Sequence, residues 1–379
     1  MYQKEIKKNN ETIIFEYIYN RKQGFSIAEV CQSLDLTFPT VKRIFESFLE
    51  KNMLIQSKKL SHGVGRKAME YAYNHDFCYS IGVRISEDDI YLIFTNSVGK
   101  ALCHSKVKLP SPPKNMIPFL ESTICLFIEQ ITKEKREKIV GIGISIPGIF
   151  NQESKMIEFK INHFSSFAAL QELQKNIPYP IYIENESNLS AIAEAVLGKY
   201  LNLSEFTVLT INKNIGSSHF VRREGDRNFY FKAGRIHHMI VNKNGRKCYC
   251  GSKGCLGSYI SIKALLQDFQ EIFPEIQEIE SIFQEKYRES KEGKKILDQY
   301  IEYLAAGIQN LLFFSNPEKI IISGMICAFQ DYLYTKLLNK IYHSGHIFFR
   351  GRDTVVFSSF HENSSLIGAA LFPIVDSMF

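Results

Sequence analysis

Apolar positions along this chain follow two periods. Over residues 9–57 the spacing is helical. Ile13, Ile14 and Ile18 stripe a first helix, and Val41, Ile44, Phe45, Phe48 and Leu49 give a third its buried face. Between them, Ser26 precedes an eight-residue run at 27–34 with Glu29 in the capping-box position, which predicts a second helix. Asp35-Leu36 makes a short turn, Thr37 is placed to cap the third helix, and Pro39 sits in its first turn, where a missing N–H costs nothing. Residues 53–57, followed by Lys58-Lys59, read as a strand and a basic turn. From residue 77 the period changes. Three β-rich runs at 77–85, 90–97 and 101–109 precede a helix over 114–133 and an apolar strand at 139–146. Another strand at 180–184 leads into a helix at 189–200. A second cycle begins with strands at 206–211 and 218–222, and continues through a Cys-rich loop and several helices. A strand at 319–323 and a helix at 365–373 end it.

Meander strands, a helix and further strands, occurring twice, predict an α/β body of two duplicated lobes. That is the arrangement of actin-like folds. The expected division is a winged helix-turn-helix over 1–60, a basic linker over 61–76, a first lobe over 77–187 joined by the C-terminal helix 363–379, and a second lobe over 188–362. Two short helices with a tight turn and a basic second helix predict contact with double-stranded DNA. Thr40, Lys42 and Arg43, with Phe38 and Thr37 beside them, would enter the major groove, and Ser26 would bond the phosphate backbone. The other reading of this segment is a helical protein–protein module. Residues 61–67 (Ser-His-Gly-Val-Gly-Arg-Lys) read as a hinge, or as a basic arm whose Arg66 enters an A·T-rich minor groove.

Charge favours the DNA reading. The net charge is +6, and residues 1–75 hold twelve Lys/Arg against eight Asp/Glu, so the remaining 304 residues carry only +2. Residues 1–12 lack an apolar secretory segment, and no apolar run reaches bilayer length. A cytoplasmic chain with reduced thiols is expected.

His238-x9-Cys248-x-Cys250-x4-Cys255 is the densest chemistry in the chain. Three thiolates and one imidazole meet the tetrahedral demand of Zn2+, and Gly251 and Gly254 let the loop fold back on itself. The alternative is a chance cluster of buried or reactive cysteines. Cys31, Cys78, Cys103, Cys125 and Cys327 stand singly in apolar stretches and read as core thiols.

Several motifs together resemble the ROK family of repressors, open reading frames and kinases. They are Gly141-Ile142-Gly143-Ile144-Ser145-Ile146-Pro147-Gly148; Ala233-Gly234-Arg235-Ile236-His237-His238 followed by the Cys cluster and Leu256; the 316–324 stretch; and Gly368-Ala369-Ala370. The helix-turn-helix with its Gly-x-Gly-Arg linker is similar to the repressor branch. The resemblance implies a structural Zn2+ on His238, Cys248, Cys250 and Cys255. It also implies a homodimer or homotetramer on an operator, and a sugar, acidic-sugar or sugar-phosphate effector from carbohydrate metabolism.

Against the kinase branch the departures are specific. The family's Asp-x-Gly-Gly-Thr phosphate turn corresponds to Arg84-Ile85-Ser86-Glu87-Asp88, and its Gly-Thr-Gly turn to Asn212-Lys213-Asn214. Acids beside a triphosphate repel it. The catalytic Asp is matched by Glu186, and the other sugar-site positions by Asn185, Arg235, His238 and Gly257, with His237 replacing a glycine. Asn185, Glu186, Arg235 and His238 are therefore the expected effector residues, and no catalytic residue is expected. Arg235 suits an anionic ligand; it could instead pair with Glu186 or another local acid. Asn162-His163 matches a sugar-side element poorly. The alternatives left open are a sugar kinase with an appended DNA-binding domain and a regulator whose effector site has decayed.

Overall fold

The computed structural model describes residues 2–19, 21, 23–57, 69–110, 116–151, 153–161, 164–200, 203–222, 229–342 and 351–378. The N-terminal unit contains α1 (Tyr2–Tyr19), α2 (Ile27–Leu34), α3 (Phe38–Glu50), β1 (Leu54–Ser57) and β2 (Glu70–Tyr73). Ser26 caps α2 in a complete capping box, its Oγ accepting from Glu29 N while Glu29 accepts from Ser26 N. Thr37 stands at the N-cap of α3 but makes no side-chain cap; its hydroxyl bonds that of Thr40 at 2.9 Å, which corrects the capping expectation. The wing is a hairpin, with Leu54 opposite Tyr73 and Ser57 opposite Glu70. Residues 70–73, expected in the linker, are thus a strand of this unit. Tyr71 and Tyr73 join Phe25, Phe45 and Phe48 in its core. Lys58, Lys59 and the Arg66 arm lie outside the described residues.

The first lobe holds β3 (Tyr79–Ile85), β4 (Asp89–Asn96), β5 (Ala101–Lys108), α4 (Met116–Glu129), α5 (Lys133–Arg136) and β6 (Ile139–Ile146). It continues with β7 (Gly148–Asn151), β8 (Met156–Ile161), β9 (Phe164–Ala169), α6 (Leu170–Gln174) and β10 (Ile181–Asn185), after which α7 (Glu186–Leu197) crosses toward the second lobe. The second lobe contains β11 (Glu205–Ile211), β12 (Ile215–Arg222), β13 (Phe229–Gly234), α8 (Gly257–Ile260), α9 (Ile262–Gln270), α10 (Ile279–Ile282) and α11 (Glu285–Arg288). The long α12 (Lys291–Ser315), β14 (Lys319–Ser323), α13 (Gln330–Ile341) and β15 (Val355–Phe357) complete it, and α14 (Ser364–Met378) ends the chain.

The two main sheets repeat one plan. The order β10-β6-β3-β4-β5 places an antiparallel meander beside two parallel strands, and β13-β12-β11-β14-β15 does the same. β3 and β6, paired on both sides, are buried on both faces, which explains their nearly continuous apolar runs. The expected duplicated lobes are present. The small β7-β8-β9 sheet was not expected; it forms because Ile157 and Phe159 on β8 plug into the first-lobe core.

α7 and α14 cross between the sheets. α14 packs under β3, β4 and β6, and α7 packs on β11 and β12. Gly368 permits the crossing, since any Cβ there would collide with the Leu189 carbonyl. A seam of buried polar groups lines it: Ser190 and Ser364 hydroxyls are 3.0 Å apart, and Ser218 donates to Asn188 Oδ1 at 2.7 Å. α14 runs through Pro373 to Met378, within the 363–379 expected for the C-terminal helix, and the proline packs where Gly141 leaves room. The β4–β5 turn connects this crossing to the N-terminal unit. Tyr19 donates to the Ser97 carbonyl at 3.2 Å, Val98 packs on the N-terminal core, and Gly99 lies against Leu197 and Leu371 of the crossing helices.

Glu194 of α7 is buried and bonded by the Ser358 hydroxyl. Burial pushes its carboxyl from 4.5 up to about 7. Below the unfolded value both states are protonated and nothing is lost. Between the two values the folded chain holds a proton that the unfolded chain has released, so stability falls as pH rises, and the loss is complete above the folded value. At pH 8 the cost is on the order of 3 kcal/mol. Glu194→Gln, which keeps the Ser358 bond, should raise Tm at pH 8 and flatten the fall in Tm between pH 5 and pH 8. Parallel pH profiles for the two proteins would refute this.

Candidate functional site

The helix-turn-helix exposes one face of α3. Phe38 is 54% exposed, and Lys42 and Arg43 project into solvent, because Val41, Ile44, Phe45 and Phe48 take the inward face. Lys42 pairs with Glu46 at 3.8 Å, one turn on. Such an exposed pair is weak and is readily exchanged for a phosphate. Ser26 already spends its oxygen accepting from Glu29 N at 3.2 Å, so only its O–H is available to a phosphate.

The metal-competent loop is built on a short 3-10 turn, Ile236–His238, and on two isolated bridges, Ile240 with Cys255 and Lys247 with Lys253. Gly251 and Gly254 adopt φ +89° and +75°, and a side chain on Gly254 would strike the Asn242 carbonyl. Arg246 ties the loop to the body through Ser258 O at 3.0 Å and Asp268 Oδ1 at 2.8 Å, with its guanidinium over the Tyr259 ring.

His238, Cys248, Cys250 and Cys255 present ligand atoms within 4.8 Å of one another. Cys250 and Cys255 sulfurs are 3.7 Å apart, and Cys248 Sγ is 3.6 Å from His238 Nδ1. Thiolates around a tetrahedral ion with Zn–S bonds near 2.3 Å stand about 3.7 Å apart, so the donor set fits zinc. His238 Nε2 faces the Tyr249 hydroxyl at 3.3 Å, an outer partner that orients the ring. Hydrogen bonds from Ser252 bring the Cys250 thiol down to about 7, whereas burial pushes Cys255 up to about 12. A cation among them would favour the thiolate of both.

At the seam between the lobes, Glu186 opens α7. Its carboxylate accepts from Asn212 Nδ2 at 2.6 Å, and Asn212 Oδ1 accepts from Met325 N at 2.7 Å. Burial raises the Glu186 pKa; Arg84, Asn212 and Ser365 oppose that rise. The cation that opposes the burial of Glu186 is Arg84; Arg235 is not among the groups acting on it. Arg84 is buried, lies 4.4 Å over the Tyr91 ring, and donates to the Glu362 carbonyl. Arg235 is exposed, and its charge acts on Tyr249 of the metal loop.

Asn185 is the N-cap of α7: its Oδ1 accepts from Asn188 N at 2.9 Å, and its Nδ2 donates to Glu184. Asn185 and Glu186 thus share the α7 end of the seam, whereas Arg235 precedes the 3-10 turn and His238 ends it. His237 and Gly257 form a single exchange, because a Cβ on Gly257 would collide with the His237 ring. Asn162-His163 lies outside the described residues. Sequence reasoning missed the roles of Arg84 and Asn212. A charge inside the otherwise apolar strand 79–85 was the available signal.

The ROK family profile matches residues 80–374, most of the chain, and the protein belongs to that family. It is similar to the xylose repressor of Bacillus subtilis (strain 168), 24% identical over 337 residues, covering 89% of this chain and 87% of the relative. The Escherichia coli (strain K12) transcriptional repressor Mlc is 21% identical over 397 residues, covering 99% and 95%. A solved ROK family transcriptional regulator, described as a homolog of the E. coli Mlc protein, superposes with a TM-score of 0.76 at 19% identity, covering 99% of this chain and 97% of its own. Kinases belong to the same fold group, and such likenesses define the fold alone.

Proposed function

We propose that this protein is a ROK-type DNA-binding transcriptional regulator, a repressor of carbohydrate metabolism, that binds operator DNA as a symmetric homodimer or homotetramer. The observation that carries this reading is the α3 face. Phe38, Lys42 and Arg43 stand outward, with Thr40 half-exposed beside them, on a folded three-helix-and-hairpin unit attached to a ROK body. The membership and the named repressor relatives support it. Zn2+ on His238, Cys248, Cys250 and Cys255 would hold the loop beside the seam and has a structural role. No helix among the described residues is long and apolar enough to cross a membrane.

The effector is a sugar or sugar derivative held between the lobes near Asn185, Glu186, Arg235 and His238. Linkage is the mechanism: a ligand that prefers one lobe relation shifts the other equilibria by that preference. The path to DNA runs from the α7/α14 crossing through the β4–β5 turn at Ser97–Gly99 to Tyr19 and the N-terminal core. Kinase activity does not fit this seam. Glu87 and Asp88 occupy one turn and Lys213 the other, so a triphosphate would meet acids.

A thermal-shift screen of the zinc-loaded protein against neutral sugars, acidic sugars, sugar phosphates and ATP tests the reading, since a native-state ligand raises Tm. The expected result is a shift with one sugar class and none with ATP. A shift with ATP would establish the kinase reading instead, and silence with every ligand would leave a regulator without an effector.

A further inference from the structure

Beyond the crossing of α7 and α14 and the bond from Arg84 to the Glu362 carbonyl, the lobes also touch through two turns. The β3–β4 turn of the first lobe presents Glu87 and Asp88. The β11–β12 turn of the second lobe presents Lys213 and Asn214. Lys213 Nζ contacts Asp88 Oδ2 and lies 3.6 Å from Glu87 Oε2, and Asn214 Nδ2 donates to Glu87 Oε1 at 3.3 Å. From these contacts we infer that the two turns form a latch: an ion-pair cluster that holds the lobes in one relation and releases when they move apart.

Three features distinguish this cluster from a chance surface pair. The backbone of each turn is pinned by bonds that do not involve the cluster itself. Ser86 closes the first turn with its N–H and its hydroxyl on the Asp89 carbonyl, both at 2.9 Å, and Asp89 N returns to Ser86 Oγ at 3.0 Å. In the second turn Asn212 N donates to Asn214 O at 2.8 Å, while the Asn212 side chain is fixed by Glu186 and Met325. Little backbone freedom in the turns is therefore left to lose on closing.

The charges are also sorted by lobe. Asp89 is neutralised within its own lobe by Lys106 at 3.2 Å and Lys108 at 3.6 Å, whereas Glu87 and Asp88 both reach Lys213 of the other lobe. Finally, the cluster is half in water. Side-chain exposure is 14% for Glu87, 39% for Lys213 and 47% for Asp88. Pairs so placed are strong enough to bias an equilibrium and weak enough for a ligand or salt to break. The Lys213 hydrogen bond holds the Asp88 carboxyl below its ordinary range, in accord with the contact.

The test is hydrogen–deuterium exchange on the full-length, zinc-loaded protein without DNA, so it reads lobe opening independently of the regulator reading. Wild type at about 0.05 M salt should protect the peptides spanning 84–89 and 211–216. At about 1 M salt, where the screening length falls to about 3 Å, exchange there should quicken about tenfold, the scale expected when several half-exposed pairs are lost together. Lys213→Met should exchange at the fast rate already at low salt and lose the salt response. Lys213→Arg should restore both protection and response, and Glu87→Gln/Asp88→Asn should behave as Lys213→Met does. The zinc content and Tm of each variant verify folding. Wild-type protection in Lys213→Met, or a wild type indifferent to salt, would overturn the latch.

Discussion

Replacing Cys255 with alanine is expected to abolish zinc binding at the proposed Cys3His site and to lower the stability of the second lobe by about 3–5 kcal/mol, roughly 10 °C in Tm. Cys255 is completely buried, and its neighbours Ile236, Leu256 and Tyr259 belong to the second-lobe core. Loss of this ligand therefore acts on the body and not only on a surface loop. Structural zinc contributes about 10–16 kcal/mol to small zinc-finger peptides, which have little else to fold around. Here Arg246 anchors the same loop through Ser258 and Asp268, so part of the structure survives without the ion. Elemental analysis of the wild type should find about one zinc per chain, as a Cys3His site requires. Cys327→Ala is the control: it removes a buried thiol from the same core, so it should lower Tm through a cavity while leaving the zinc content intact. A zinc-free wild type, or a Cys255→Ala protein that melts with the wild type, would refute the metal centre.

Arg43→Ala should weaken operator binding by about 1–3 kcal/mol, roughly 5- to 150-fold, and relax discrimination at the contacted base. Lys42→Ala should weaken binding on every sequence and reduce the salt slope of log K by about one. The different signatures follow from chemistry. A guanidinium grips a guanine edge with two hydrogen bonds, whereas an ammonium is a point charge suited to phosphate. Both side chains lie on the exposed face of α3, away from Val41, Ile44 and Phe45, so neither change should disturb folding. Binding is measured by fluorescence anisotropy on an operator selected from random duplexes, across a salt series. Unchanged affinity in both variants would remove α3 as the recognition helix, and failure to select any duplex would favour a protein–protein module.

Much of the architecture was legible because it rests on short-range rules. Apolar spacing located α2, α3, β6 and β14 to within a residue or two, since a buried face must repeat at the period of its element. The capping box at Ser26 and the His/Cys spacing of the metal loop also lie within one local stretch of chain. Elements that depend on distant partners were harder to read. β2 was taken for linker because its reason to be a strand is pairing with β1 and packing of Tyr71 and Tyr73 on a core made by α1 and α3. β8 became a strand through Ile157 and Phe159 finding the first-lobe core. Thr37 lost its predicted cap to a hydroxyl one turn ahead.

By itself, the sequence determined the duplicated α/β plan, the helix-turn-helix and the identity of the four metal-competent residues, all consequences of local period, capping and spacing. Only the tertiary structure decided the partners of charges. It set Arg84 rather than Arg235 to oppose the burial of Glu186, matched His237 to the space left by Gly257, and brought Lys213 onto Glu87 and Asp88 across more than a hundred residues of chain. The physical reason is that a charge responds to whatever folding brings within a few ångströms, and sequence separation sets no limit on that.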